Sequence, residues 1–390
     1  MHGRNVQLDL LRCAAIMGVL VAHSIIFRTP MWWWDQLVAR PSWSGVDLFF
    51  VISGFLISGL LFSEFQKKGR INFARFAIRR ALKLYPTLYA LVLGIMVWRL
   101  WKYGFQGWIF TPVVHDILFV QNYLRGTYPH FWSLAVEEHF YVMLPLTLYV
   151  MIRWGPRGDS NPFCKLPLVF LVIASATLLA RILNGLFGPS YSVATHQFPT
   201  HLRIDSLSFG VLLSYWYRFH FKEFSSLLGR ARRYLVPVSV LLILPAVFLP
   251  PSNFFLYTFG FTGLYLGYGG LMIALLQLTM PTKGFGGWMI RSFAYIGQHS
   301  YPIYVFHLFI LESLMRTSLL KGPGALPVYF FCTVTAGILF SKLIEFPVLH
   351  FRDRIFPPET SAQVIAEGPL RAPVSVALRV PVAAAQASTN

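Results

Sequence analysis

Charge is what this sequence has least of. Of 390 residues, 12% are Asp, Glu, Lys or Arg, and only 15 are acidic. A soluble domain carries about twice that charged share. With 56% of residues hydrophobic and a mean hydropathy of +0.57, the chain cannot clothe a water-facing surface. Cysteine is scarce as well. Cys13 and Cys332 fall in apolar runs and Cys164 in a loop, a spacing that suggests neither a disulfide framework nor a metal site, so no metal is expected. The alternating segments of about ten residues that build a membrane barrel are missing, and the apolar runs are of helix length. The first apolar stretch contains Asp9 and Arg12 and no small-residue cleavage site, so it does not read as a cleavable signal peptide. The net charge of +18 would suggest nucleic acid in a soluble protein. Here the bias of Lys and Arg toward the cytoplasmic side of a membrane explains it, and no nucleic-acid partner is expected.

What is present is an all-α polytopic membrane bundle whose partner is the lipid bilayer. About ten transmembrane helices are predicted, near 7–27, 44–64, 84–101, 132–152, 166–187, 202–218, 234–250, 257–280, 293–314 and 326–349, with no extramembrane domain. The seventh is interrupted by Pro237 and Pro245, tolerable where neighbours satisfy the released carbonyls. The densest basic run, Lys67 to Lys83, follows the second span, and alternation from there puts both termini in the cytoplasm. Trp32, Trp33 and Trp34 then sit at the outer interface. The longest outer loop, about 102–131, carries His115, Asp116, Gln121, Asn122 and His130, with a short or re-entrant helix near 113–120. Residues 1–356 form the transmembrane unit. Residues 357–390, rich in Pro, Ala, Val, Ser and Thr without periodicity, read as a disordered cytoplasmic tail.

Polar residues inside such spans are costly and mark function by default. The stretch from Trp132 to Tyr141 opens the fourth span with two adjacent carboxylates, Glu137 and Glu138. Ser133, Glu137 and Tyr141 recur every fourth residue and share one helix face. Either Glu137 and Glu138 are an interfacial pair reaching water, or they line a reaction site within the bundle. On the first span, Arg12 and His23 are eleven residues apart, about 20° beyond three full turns and about 16 Å along the axis. They share a face that should look into the bundle. Asp47 opens the second span, where it is either a first-turn residue or a functional acid. Ser53 and Gly54 permit close helix contact. Arg79, Arg80 and Lys83 fall within about one turn near the start of the third span, serving topology and lipid headgroups or binding phosphate. In the sixth span Arg203 and Asp205 either neutralise one another or pair with Glu137. The ninth carries Ser300, Tyr301 and His307, and the tenth ends in Glu345-Phe346-Pro347. Two polar sets result: His23, Asp47, Ser133, Glu137 and Asp205 in the outer half, and Arg12, Arg79, Arg80, Lys83 and Glu345 toward the cytoplasm.

In order along the chain, Leu8-Asp9-Leu10-Leu11-Arg12 with His23, the segment Gly45 to Ile57, Arg79-Arg80-x-x-Lys83-x-x-Pro86, Trp132 to Tyr141 with its Ser-x3-Glu, and Arg203-x-Asp205-Ser206-Leu207-x-x-Gly210 resemble the motifs of acyltransferase family 3. Members are inner-membrane acyltransferases that O-acetylate bacterial surface glycans. Ser300-x3-Tyr304-x2-His307 and Glu345-x-Pro347 resemble its closing pattern. The resemblance implies a bacterial inner-membrane enzyme that takes an acyl group, often acetyl, from cytoplasmic acyl-CoA. Acetyl-CoA is then a co-substrate, and no cofactor is bound permanently. The implied acceptor is a hydroxyl of an extracytoplasmic glycan or a lipid-linked sugar. Lys83 departs from the family's usual arginine, keeping the charge but losing the bidentate fork.

On that footing His23 is the expected general base. Glu137, or else Asp47, orients its imidazole, and Ser133 bonds Glu137 or accepts the acyl group. Arg79, Arg80 and Lys83 are expected on the CoA phosphates. Arg12 lies on the pantetheine path or pairs with Asp9, and Arg203, Asp205 and His307 meet the acceptor. A competing class, a proton-coupled transporter or flippase of lipid-linked sugars, also needs buried His, Asp, Glu and Arg, but the paired broken helices of inverted repeats are not evident. Within enzymes, succinyl or longer-acyl transfer is the alternative.

Overall fold

Every long apolar run becomes a helix, because a backbone group in hydrocarbon must be satisfied within its own segment. The computed structural model describes residues 5–27, 34–155, 161–317 and 324–357. Trp32, Trp33 and the expected tail from residue 358 onward lie outside the described residues. The helices are α1 (Val6–His23), α2 (Gly45–Lys68), α3 (Phe73–Tyr103), α4 (Gly107–Ile117), α5 (Trp132–Trp154), α6 (Leu166–Phe187), α7 (Val193–His196), α8 (Ile204–Phe219), α9 (Phe221–Ile243), α10 (Pro245–Phe248), α11 (Phe261–Leu276), α12 (Gly284–Gln298), α13 (Ser300–Met315), α14 (Ala325–Phe340) and α15 (Phe346–Ile355). No strand occurs among the described residues. Among the described residues eight helical stretches are long and apolar enough to cross a membrane, and Ser300–Met315 is a shorter apolar helix. This is a polytopic helical bundle.

Each expected span lies on helix, with instructive differences at the ends. The sixth is α8, only 16 residues long, about 24 Å against a hydrocarbon core of about 30 Å. It is buried along most of its length and packs against α2. The contact is closest at Gly54 and Gly210, where a Cβ on either would run into backbone of the other helix. The seventh begins earlier, at Phe221, runs through Pro237, and breaks only before Pro245. The ninth is two helices, α12 and α13, separated at His299. The tenth passes through a π-turn, Ser341–Glu345, into α15, whose second residue is Pro347. Proline removes one i→i−4 bond there, and the wider turn accommodates the loss.

Two local features position the site. First, α3 starts eleven residues before its expected span. Asn72 caps it by accepting from the Arg75 N–H at 2.9 Å, so Arg79, Arg80 and Lys83 stand on a helix rather than in a loop. Lys83 lies between its two neighbours in angle, about 60° from Arg80 and about 40° from Arg79, and of the three Arg80 and Lys83 line a cavity while Arg79 does not. Second, the outer loop does not stay outside. After α4 the chain turns at Phe119 (φ 55°) and runs back into the bundle. Gln121 donates to the Phe131 carbonyl at 3.0 Å, Asn122 donates to Thr200 at 2.8 Å, and His130 and Phe131 are buried. The first turn of α5, with Trp132 and Ser133, is therefore buried as well.

Candidate active site

The sunken start of α5 brings part of each polar set together. A cavity of about 90 Å³ is lined by Arg12, Arg80 and Lys83 and by Ser133, Glu137 and Tyr304. Ser53, Gln298, Ser300, Tyr301 and Glu345 add further polar groups to its wall. Residues expected toward opposite membrane faces thus share one chamber.

Glu137 has three partners there. Ser53 donates to Oε1 at 3.0 Å, Tyr141 donates to Oε2 at 2.6 Å, and Arg80 Nη2 lies 3.7 Å from Oε2. Arg80 donates to the Tyr141 hydroxyl and lies 4.0 Å above the centre of that ring. Glu137 and Tyr141 share a helix face, as expected. The expected partnership of Glu137 with His23 is not what the structure has, since both its oxygens are taken up by Ser53, Tyr141 and Arg80. Ser133 is likewise not bonded to Glu137. Its hydroxyl lies 2.6 Å from the Tyr304 hydroxyl, which itself donates to the His130 carbonyl at 2.6 Å. Tyr304 has one proton and the carbonyl takes it, so Ser133 is the donor in the first bond. Glu138 accepts from Tyr85 at 2.6 Å.

His23 is not in the cavity lining. It connects to the lining through His307, whose ring packs 5.5 Å from that of Tyr304, and its Nδ1 lies 2.9 Å from the Val19 carbonyl one turn back. A carbonyl can only accept, so Nδ1 carries the proton and Nε2 the lone pair. His307 packs against it with ring centres 4.8 Å apart.

Four expected site residues, Asp47, Arg203, Asp205 and Arg79, lie elsewhere. Asp47 pairs with Arg203 at 2.6 Å, and Asp205 pairs with Arg181 at 2.5 Å. None of the side chains in these two pairs is more than 1% exposed. Arg203 also lies 3.9 Å above the Phe261 ring. The expected pairing of Arg203 with Asp205 or Glu137 is therefore overturned. Residues two apart at a helix start point to different neighbours, and each found a partner on another helix. Arg79 is turned away from the cavity and is held by Asp353 at 3.1 Å and by the Phe356 carbonyl of the α15 end. Arg12 lines the cavity and pairs with Asp9 at 3.2 Å.

Arg181, Ser53 and Tyr304 were not singled out for these roles by sequence reasoning. Tyr304 could have been, since it repeats the spacing of Ser300 and precedes His307. Arg181 could have been suspected as a lone charge in the apolar run 166–187. Among the described residues no group of His, Cys, Asp and Glu is arranged to hold a metal ion.

A multi-pass helical bundle enclosing a chamber lined by cationic side chains, carboxylates and hydroxyls is the class of protein that this fold and site define. The chain belongs to the acyltransferase domain family, which it matches over residues 5–344. It is similar to the peptidoglycan O-acetyltransferase OatA of Listeria monocytogenes, 26% identical over 325 residues, covering 77% of this chain and 48% of the relative. It is also similar to the O-acetyltransferase OatA of Staphylococcus aureus, 25% identical over 390 residues, covering 91% of this chain and 59% of the relative. The chain spans about half the length of these curated relatives. No solved structure matches it.

Proposed function

We propose that this protein is a membrane O-acetyltransferase that carries an acetyl group from cytoplasmic acetyl-CoA to a hydroxyl of an extracytoplasmic or lipid-linked glycan, in a bacterial inner membrane with both termini cytoplasmic. The observation that carries the reading is the single cavity joining Arg12, Arg80 and Lys83 to Ser133 and Tyr304. Arg80 and Lys83 project from one face of α3 and suit the phosphates or pantetheine amides of CoA. Glu137 holds Arg80 in place and offsets its charge when no donor is bound. The volume has room for the thioester end of a carrier rather than for a whole lipid-linked sugar.

His23, with Nδ1–H pinned to Val19, offers Nε2 as the base. It takes the acceptor proton as the oxygen attacks the thioester carbonyl, and the thiolate leaves as the thiol after protonation. The hydroxyl protons of Ser133 and Tyr304 are committed to Tyr304 and to the His130 carbonyl, so Ser133 steadies the developing oxyanion only by turning its O–H from Tyr304 toward the substrate. The peptidoglycan named for the Listeria relative is a candidate acceptor, tested beside lipid-linked glycans.

The test uses membranes containing the protein, radiolabelled acetyl-CoA and either acceptor. Label in base-labile glycan esters is the expected result, lost on His23→Ala at equal protein abundance. Transfer at wild-type rate by His23→Ala would remove the base from the mechanism. Absence of label with wild type across both acceptors would overturn the transferase reading.

A further inference from the structure

Three imidazoles from distant parts of the chain meet beside the cavity: His23 at the end of α1, His307 in α13 and His130 in the loop that dips ahead of α5. Ring centres are 4.8 Å apart for His23 and His307 and 4.4 Å for His130 and His307, each pair edge to face. Every ring has one nitrogen facing a backbone carbonyl. His23 Nδ1 lies 2.9 Å from Val19 O, His307 Nδ1 2.5 Å from Tyr304 O, and His130 Nε2 3.2 Å from Val305 O. All three tautomers are therefore set by the backbone, and the opposite nitrogen of each ring carries the lone pair. On His307 that nitrogen is Nε2 and on His130 it is Nδ1. Both are buried without a hydrogen-bond partner. A buried nitrogen without a partner is costly to keep, and packing alone would be better served by leucine or phenylalanine.

No carboxylate pairs with any of the three rings among the described residues. The nearest other titratable groups are Tyr304, 5.5 Å from His307 and 5.4 Å from His130 between ring centres, and Tyr128, 5.6 Å from His130. Tyr128 in turn donates to the exposed Glu312 at 3.0 Å. Base–orienter pairs elsewhere set a carboxylate against the imidazole. Here the group packed against His23 is another imidazole that arrives with a buried lone pair and no bonded proton to share.

We propose that His307, backed by His130, is the positioning partner of His23, its unpartnered nitrogen accepting a hydrogen bond from His23 once His23 has taken the acceptor's proton. This rests on the acetyl-transfer reading above. In the step, the acceptor O–H bond breaks as its oxygen bonds to the thioester carbon, and the proton goes to His23 Nε2. The C–S bond then breaks with its electron pair on sulfur, which takes that same proton back from His23 Nε2 and leaves as the thiol, returning His23 to its neutral form. His307 gains and loses nothing overall. It holds the charged His23 in place between the two events and gives a cation a neutral acceptor where a buried carboxylate would have demanded a permanent counter-charge.

The experiment measures acetyl transfer against pH, and acetyl-CoA binding separately, in the full chain with His307→Leu and His307→Gln. Leucine cannot accept a hydrogen bond, whereas glutamine can through its side-chain oxygen. His307→Leu should lower kcat by about tenfold or more with unchanged KM and unchanged binding of acetyl-CoA. Its acid limb should move to lower pH, because protonated His23 loses its acceptor. His307→Gln should recover part of the rate and move the limb back. The proposal falls if His307→Leu keeps the wild-type rate and pH profile, if glutamine is no better than leucine, or if acetyl-CoA binding is lost together with transfer. A wild-type protein that transfers no acetyl group at all would instead overturn the transferase reading.

Discussion

Removing Arg203 should expose how strongly the buried ion pairs hold this bundle. Arg203 Nη2 lies 2.6 Å from Asp47 Oδ1, and neither side chain is more than 1% exposed. The neighbouring Arg181 is bound to Asp205 at 2.5 Å, so it is not released to neutralise a stranded Asp47. Arg203→Met keeps much of the volume that packs on Phe261 but leaves a buried carboxylate without its partner. Breaking a buried pair from one side costs about 3–5 kcal/mol, so the folded-to-unfolded ratio should drop by roughly 10³-fold. Adding Asp47→Asn removes the stranded charge and should restore most of the loss, since a neutral pair of similar shape needs no counterion. The assay is unfolding of the detergent-solubilised protein by denaturant for wild type, both single variants and the double. The expected signature is a double variant more stable than Arg203→Met alone. The reasoning is refuted if Arg203→Met costs less than about 1 kcal/mol, or if the two single losses simply add.

Arg80→Ala should raise KM for acetyl-CoA by about 10- to 100-fold, the worth of one hydrogen bond to a charged group, whereas Arg79→Ala should leave KM near wild type and loosen α15, read by limited proteolysis after Arg352 and Arg354. Glu137→Gln keeps the Ser53 bond but removes the charge facing Arg80 at 3.7 Å. Acetyl-CoA binding should tighten severalfold at low salt while stability falls, and weaker donor binding with unchanged stability would contradict the offsetting role. Gly210→Leu places a side chain against the Val51 carbonyl across the α2–α8 contact and should cost more than the about 1–3 kcal/mol of ordinary overpacking, seen as lost abundance in the membrane. Asp116, buried in α4, has its carboxyl pushed up to about 6, chiefly by burial, against the opposing hydrogen bond from the Thr127 N–H. A raised acid favours the folded state when protonated, so stability should fall as pH rises from about 4 through 6 and level off above. Asp116→Asn should flatten that dependence, measured as denaturation midpoints across pH.

Much of this protein was legible one helix at a time. A long apolar run has to be a helix in lipid, so the bundle and nearly all its elements follow from composition and length alone. Positions four apart on a helix share a face, so Ser133 and Glu137 line the chamber together and Tyr141, one turn on, bonds Glu137. The motif order from Arg12 to Glu345 pointed to the family to which the chain belongs. Partner choice was different. Whether Asp205 meets Arg203 or Arg181 depends on how α6, α8 and α2 are rotated about their axes, and local sequence does not encode that rotation. The depth of Ser133 was hidden for a similar reason. The loop before α5 is polar enough to read as solvent-facing, yet Gln121 and Asn122 find buried partners that let it sink into the bundle. His130 and His307 lie far apart in the chain, and only the packing of that sunken loop against α13 brings them beside His23. Secondary structure and side-chain faces are short-range consequences of covalent geometry and solvent. The chamber and the imidazole row depend on long-range contacts, and these exist only once the helices have docked.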